Sequence, residues 1–349
     1  LKAVARAGAG VNNIPVDACS KKGIVVFNTP GANANSVKEL VLAAMLISSR
    51  KVIDGVIWAK SLATGVAAPA AAPAADNIPA AVEKGKKQFI GPEITGKTLG
   101  VIGLGAVGVL VANDAVSIGM KVIGHDPFIS IESAWGLSRE VRRASEVEEL
   151  LSESDYISLH LPLSEKTRNF INIDKFRHLK KGARILNFAR GQLVDTKDLL
   201  KALDAGIVER YVTDFPDADM VNHEKIIPIP HLGASTPEAE ENCAAMAVDQ
   251  LARYLKTGNI SNSVNFPACD MAQNTDMRIV IANENIPNMV GQITTILAEE
   301  KINIADMLNR HLGDYAYTII DIEGDMNEDT ITRLKGIKGV LMARKIESA

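Results

Sequence analysis

The residues Gly103-Leu104-Gly105-Ala106-Val107-Gly108 follow an apolar run and open a helical pattern. Glycines at the first, third and sixth positions permit a tight turn, close approach of a pyrophosphate and close helix–strand packing. Asp126 ends the next apolar run, eighteen residues beyond Gly108. That is near the spacing at which an acid meets a ribose. A carboxylate accepts from a free 2′-hydroxyl and repels a 2′-phosphate. Pro127-Phe128-Ile129 behind it brings no cation to bind that phosphate. The pattern describes a dinucleotide site that prefers NAD over NADP. An ordinary glycine-rich turn is the plainer alternative, and the strand–helix context argues against it.

Open parallel sheets bind ligands at the carboxyl ends of their strands. Polar residues just past apolar runs therefore carry the weight: Asp126, His160, Asn187 with Arg190, Asp214 and His231. Arg190 can clamp a carboxylate through two parallel hydrogen bonds. His231 stands between Pro230 and Gly233 and can take a hydroxyl proton as a hydride leaves the same carbon. A structural ion pair for Arg190 and a capping or core role for His231 compete when each is taken singly. Together, at one edge of one sheet beside a dinucleotide turn, the two favour catalysis.

A second wall lies near the start of the chain. Arg6-Ala7-Gly8-Ala9-Gly10 lines up backbone N–H groups as an anion nest. Asn33 and Ser36 stand near a helix N-terminus, with Arg50 and Lys51 as candidate counter-charges. A tight structural turn and a solvated helix end are the alternatives. His125 and His160 flank the expected cofactor cleft, whereas His178, His223 and His311 are expected to face solvent. No pair has metal-ligand spacing, so no metal is expected. Cys19, Cys243 and Cys269 are scattered and read as buried residues of a reducing cytosol.

These residues need a scaffold. A chain of 349 residues, 47% of them apolar, fits two or three domains. A net charge of -4 and the lack of any Lys/Arg run argue against a nucleic-acid face. The uncharged apolar run Leu40 to Ser49 is too short to cross a bilayer. No signal peptide is seen, and a cytoplasmic protein is expected. Leu at position 1 suggests an incomplete N-terminus.

Residues 98–230 alternate strand and helix, which implies a doubly wound parallel sheet. A helix is expected from Asn35 or Ser36 to about Ile57. Residues 62–81, with ten alanines and three prolines, read as a low-complexity surface insertion. Ser235-Thr236-Pro237-Glu238 starts a long helix running to about Lys256. Residues 258–276 read as a linker. The order βαββαβ over 277–349 describes a ferredoxin-like small domain suited to regulation or to pairing.

Five ordered segments together resemble the D-isomer-specific 2-hydroxyacid dehydrogenases. They are ARAGAGVNNI at 5–14, NTPGANANSVKEL at 28–40, GLGAVG at 103–108, LNFARGQLVD at 186–195 and PHLGAST at 230–236. The likeness is strongest to the branch that oxidises 3-phospho-D-glycerate and carries a C-terminal ACT domain. It implies a Rossmann-type NAD-binding domain at 90–237 and a split, flavodoxin-like substrate domain at 1–89 and 238–266. An ACT regulatory domain would follow at 277–349. It also implies NAD-dependent formation of 3-phosphohydroxypyruvate, the opening step of serine biosynthesis, by a homodimer or homotetramer. Arg190 would orient the carboxylate of a small phosphorylated 2-hydroxy acid, and His231 would be the acid/base. Contacts to NAD would fall on Gly103, Gly105, Ala106, Val107, Gly108, Asp126, Phe188, Ala189, Arg190, Asp214, His231, Gly233 and Ala234. Substrate would meet Arg6 to Gly10, Asn33 and Ser36.

The chain departs from that pattern in three ways. The acid that orients the catalytic histidine falls on Ala218, so Asp219 or its neighbour Asp217 is expected to serve. About two leading strand–helix units of the substrate domain are absent, which predicts weak substrate binding and association through an open edge. An L-serine effector site is expected at Asn283, Asn285 and Asn303, with Asn283 replacing a histidine and Asn288 a glycine. A hydroxypyruvate or glyoxylate reductase is the near alternative. A non-enzymatic NAD-sensing scaffold is the distant one.

Overall fold

Short apolar runs bounded by glycine and polar turns set the strands of this computed structural model, which describes residues 1–64 and 76–347. Two come first, β1 (Ala3–Ala5) and β2 (Val25–Phe27), paired in parallel. Seven follow: β3 (Thr98–Ile102), β4 (Lys121–His125), β5 (Arg142–Arg143), β6 (Tyr156–Leu159), β7 (Ala183–Asn187), β8 (Val208–Thr213) and β9 (Ile226–Pro228). They form one parallel sheet in the order β5-β4-β3-β6-β7-β8-β9. The order reverses between β3 and β6, which makes the sheet doubly wound, as expected, and fixes a switch point there. Leu99 and Val101 of β3 pack with Val111 and Ala112 of the helix Ala106–Ser117. Ile102 joins the other core with Leu150 and Leu151 of the helix Val147–Glu153. Period-two alternation on β3 thus feeds both faces of the sheet.

Four antiparallel strands close the chain: β10 (Met277–Glu284), β11 (Asn303–Leu312), β12 (Tyr315–Glu323) and β13 (Val340–Glu347). Their order is β11-β12-β10-β13, the ferredoxin-like arrangement expected of βαββαβ. The helices Met289–Glu299 and Glu328–Lys335 cover one face through Ile293, Leu297, Ile331 and Leu334. The other face packs Val280, Ala282, Tyr317 and Ile319 against Val25, Phe27, Tyr254 and Phe266.

Contacts gather the chain into two compact units, Leu1–Asn33 with Pro237–Ala349, and Ala34–Thr236. This grouping differs from the threefold division read from the sequence. The helix Ala34–Ser49 joins the large sheet, where Val41, Ala44 and Met45 bury against Leu99, Val101 and Leu186. Its outer end is tied by Arg184 Nε to Ser48 O (3.0 Å) and by Ser49 Oγ to Tyr156 OH (2.7 Å).

Three expectations need correction, and a fourth lies partly outside the described residues. The helix from residue 35 does not run to Ile57; it stops at Ser49, and a second begins at Val52. The Ser48 and Ser49 hydroxyls both return to Met45 O, at 3.0 and 2.6 Å, and compete with the backbone for that acceptor. The stretch 258–276 is not a loose linker. Ile260, Phe266, Cys269 and Met271 are buried, and Asn265 bonds Val26 N, Ser20 Oγ and Ile24 O. Of the Ala/Pro-rich insertion, residues 65–75 lie outside the described residues. Its flanks are helical over Val52–Thr64 and Ile78–Gly85, the latter capped by Asn77. His223 does not face solvent freely; its ring lies between Asp204 Oδ1 (3.4 Å) and Lys225 N (3.2 Å). The three cysteines are buried and unpaired.

Arg278 on β10 and Asp321 on β12 are both fully buried and share two hydrogen bonds of 2.6 and 3.0 Å. The same guanidinium donates to Thr257 O and Asn259 Oδ1. Arg278→Met leaves a buried carboxylate unpaired and is expected to cost about 3–5 kcal/mol of stability. Adding Asp321→Leu should return part of that loss. Denaturant unfolding of the two variants checks it, and a single variant as stable as the parent chain contradicts it.

Candidate active site

The carboxyl ends of β7 and β8 carry Asn187, Arg190 and Asp214, three of the residues singled out by the sequence. Asn187, the last residue of β7, is fully buried. Its Nδ2 donates to Arg190 O (2.9 Å) and Tyr211 OH (3.0 Å), and its Oδ1 accepts from Ala189 N (3.2 Å). One side chain therefore closes the turn Phe188–Arg190 and fixes where Arg190 leaves the sheet. Burial lifts the Tyr211 hydroxyl to about 12, so it stays a neutral partner to Asn187. Arg190 itself is exposed, and its Nη1 donates to Ala189 O at 2.6 Å.

Asp214 follows β8 and is only 2% exposed. Its Oδ2 accepts from Gly233 N (3.3 Å), and its Oδ1 has no protein partner. Burial raises its pKa, while the charges of His231 and Arg190 pull it back down. The carboxylate thus senses both residues. His231 is exposed, and its ring packs on Phe215 with centroids 4.5 Å apart at 51°. Ser36 Oγ donates to Gly233 O at 2.8 Å and is itself buried. The loop 231–234 is thereby pinned from both sides, by Asp214 and by Ser36.

The glycine turn lies at the switch point. A Cβ on Gly103 would come within 2.7 Å of His160 O, and the residue takes a φ of +92°, open to glycine. Nothing lies within 4 Å of a Cβ built on Gly105. The helix it caps, Ala106–Ser117, has no side-chain cap on its first N–H groups. Asp126 holds the turn, accepting from Leu104 N and Phe128 N, both at 2.8 Å. Open space, uncapped N–H groups and a carboxylate at the end of β4 fit the diphosphate and ribose of a dinucleotide. His160 bonds Ser158 Oγ at 2.8 Å, and burial lowers its pKa to about 4. It stays neutral at pH 7 and carries no charge to the cleft. His125 is held by Ala144 O at 3.2 Å.

Arg190, Asp214, His231, Gly233 and Ala234 thus share one unit with Gly103–Gly108, Asp126 and Phe188. Arg6 to Gly10 and Asn33 belong to the other unit. There the anion nest is partly closed. Arg6 turns back on Gly10 O, Gly8 N donates to Thr29 Oγ1 (2.7 Å) and Asn28 Nδ2 to Ala9 O (2.7 Å). Ser36 serves the 231–234 loop rather than an open anion site. The expected bond from Asp219 to His231 is not formed. Asp219 offers its N–H to Asp217 Oδ1, whose other oxygen takes Thr196 Oγ1. Asn283 and Asn285 lie at the carboxyl end of β10, but Asn303 starts β11 beside Glu323, at the far end of the sheet. One chain does not gather the three. Tyr211 and Phe215 escaped the sequence reading, since a buried tyrosine and a half-buried phenylalanine look like ordinary core residues.

Comparison with known proteins places this geometry. The family model described as D-isomer specific 2-hydroxyacid dehydrogenase, NAD binding domain, matches residues 70–233. A D-3-phosphoglycerate dehydrogenase of Methanocaldococcus jannaschii is 33% identical over 314 residues, covering 88% of this chain and 55% of that one. One from Haemophilus influenzae is 32% identical over 353 residues, covering 96% and 78%. The NAD+-bound 3-phosphoglycerate dehydrogenase of Entamoeba histolytica superimposes with a TM-score of 0.58 at 31% identity, over 76% of each chain. The chain spans about half the length of the archaeal relative and of several animal ones.

Asn187→Ala removes three bonds from a buried turn. It is expected to cost roughly 1–3 kcal/mol of stability and to weaken carboxylate binding through Arg190. Unfolding curves and the KM for a hydroxy acid read the two effects. Asp214 gives a pH test. Its folded-state pKa is raised, so its contribution favours folding at low pH and is lost as pH rises through that pKa. Asp214→Asn should therefore melt above the parent chain at pH 8. The gap should close on acidification; a gap that widens at low pH contradicts the assignment.

Proposed function

The chain belongs to the D-isomer-specific 2-hydroxyacid dehydrogenases, and from that premise we propose that it oxidises 3-phospho-D-glycerate to 3-phosphohydroxypyruvate with NAD. The observation that carries the reading is electrostatic. A buried Asp214 carboxylate feels both Arg190 and His231 beside a dinucleotide turn in the same unit. NAD, when bound, supplies the acceptor for the hydride that leaves the carbinol carbon. The guanidinium of Arg190 holds the substrate carboxylate in a two-point clamp, which orients that carbon. His231 takes the hydroxyl proton as the carbonyl forms. Asp214 stabilises the imidazolium that results, and Phe215 fixes the ring plane from below. Gly103–Gly108 and Asp126 hold the diphosphate and ribose. Arg6 to Gly10 and Asn33 would meet the substrate.

The same reading divides the chain by role into substrate, nucleotide and regulatory parts at 1–89 with 238–266, 90–237 and 277–349. L-Serine is the proposed effector. Asn283 and Asn285 of one copy would meet Asn303 of a second, which suits a homodimer or homotetramer, since one chain holds them apart. A cytoplasmic enzyme of serine formation follows. A scaffold that binds NAD without turnover is the second reading. It is favoured by one fact: among the described residues, no acid is hydrogen-bonded to the His231 ring.

The test is NADH formation by the full chain from 3-phospho-D-glycerate, D-glycerate and D-lactate. Turnover should favour the phosphorylated acid, and His231→Gln should lower kcat by roughly 100-fold or more. Retained NADH binding with no turnover of any acid would select the scaffold.

A further inference from the structure

Two arms leave the large sheet side by side. After β7 the turn 188–190 carries Arg190, and after β8 Phe215 offers the ring on which His231 packs. The two strands are parallel, with Ile185 opposite Tyr211 and Asn187 opposite Thr213. Residues opposed in this way, and residues two apart on one strand, point to the same face of a sheet. Tyr211, Thr213 and Asn187 therefore share one face just below both arms, and all three are fully buried.

Their hydrogen bonds make a continuous path between the arms. Asn187 Nδ2 sends one N–H to Arg190 O (2.9 Å) and the other to Tyr211 OH (3.0 Å). The hydroxyls of Tyr211 and Thr213 are hydrogen-bonded to each other. Thr213 Oγ1 in turn accepts from Phe215 N at 3.1 Å. The path thus runs from the backbone of Arg190, through three buried side chains, to the backbone of Phe215, with the Tyr211 hydroxyl at its middle. The ring of Tyr211 lies in the core that holds Ile185 and Leu193. A phenylalanine would fill the same space and lose the hydroxyl alone. A tyrosine kept for its packing is the plainer alternative, since any buried hydroxyl finds some partner. The partners argue for more: one side chain closes the Arg190 turn, and the other holds Phe215. In a dry pocket an N–H left without its acceptor is costly, so the path resists distortion.

We propose that Tyr211 is a positioning residue for the reaction: its hydroxyl holds the arm of Arg190 and the arm of Phe215 at one fixed spacing, so that the guanidinium and the imidazole meet the same small hydroxy acid together. The inference rests on the dehydrogenase reading above. It assigns to a core side chain, which touches no substrate, control over the distance between the two groups that do. A displacement of about 1 Å in such a centre costs roughly 100-fold in rate.

Tyr211→Phe and Tyr211→Leu in the full chain test this. Both remove the hydroxyl, and the second also takes the ring out of the core. Each should lower kcat/KM for 3-phospho-D-glycerate by roughly tenfold or more, through a lower kcat as well as a higher KM. NADH affinity, read by fluorescence titration, should stay within about threefold of the parent. The leucine variant should melt well below the phenylalanine one yet show the same kinetic loss. Thr213→Val cuts the path at its next link and should give a similar loss; joined to Tyr211→Phe it should add little. Unchanged kinetics in Tyr211→Phe, losses that follow melting temperature, or additive losses in the double variant reduce Tyr211 to a core residue and overturn the proposal. A matching loss of NADH affinity also overturns it, since the hydroxyl would then serve the nucleotide. Should the leucine variant not fold, the phenylalanine and valine variants decide. If the parent turns over no acid, the dehydrogenase reading fails instead. Calorimetric titration of the NADH complexes with 3-phospho-D-glycerate then decides positioning. Binding roughly tenfold weaker in Tyr211→Phe supports it; equal binding, or none by the parent, refutes it.

Discussion

A carboxylate taken out of water is held in place here by very little. Asp214 has the backbone N–H of Gly233, its own backbone N–H and the fields of two cationic side chains. Burial opposes its charge, and the charge of His231, backbone N–H groups and the charge of Arg190 partly offset that cost. Arg190 and His231, 41 positions apart in sequence, both act on this one carboxylate. Everything around them serves that arrangement. Asn187 closes the Arg190 turn, Ser36 and Asp214 grip the loop after His231, and Phe215 supports the imidazole. The stability given up by burying an acid is the kind of local conflict expected where function, not folding, sets the residue.

Much of this frame is written locally in the chain. The glycine turn, Asp126, Arg190 and His231 are each marked by residue type and by position after an apolar run. The alternation over 98–230 leaves a doubly wound sheet as the economical reading. What escapes is set by long-range packing. Ser36 looks like a helix-start anion ligand, yet its hydroxyl meets a carbonyl 197 residues away. Asp219 has the right type and nearly the right place to orient His231, yet its carboxylate makes no bond to that ring, and its backbone N–H goes to Asp217. Asn265 sits in a polar, proline-broken stretch, and only the fold reveals that it links three backbone or hydroxyl partners around β2. Local pattern reports which groups are present; it does not report which acceptor wins them.

The C-terminal sheet shows the same limit on a larger scale. Its βαββαβ order is plain from the sequence, and the order alone suggests a free-standing module. The observed core says otherwise. Tyr317 and Ile319 of β12 share a cluster with Val25 and Phe27 of β2 and with Tyr254. Tyr317 OH reaches Gly258 O at 2.8 Å, and the Arg344 guanidinium lies 4.6 Å from the Tyr254 ring.

That shared core bears on how such a chain evolves by recombination. A segment whose sheet is covered on one face by its own helices and on the other by distant parts of the polypeptide cannot be exchanged at its apparent border near residue 276. A crossover there would strip the buried Arg278 of Asn259 and Thr257 and leave Tyr317 with a naked apolar face. Shuffled descendants would keep residues 237–347 together with 1–33, or lose both.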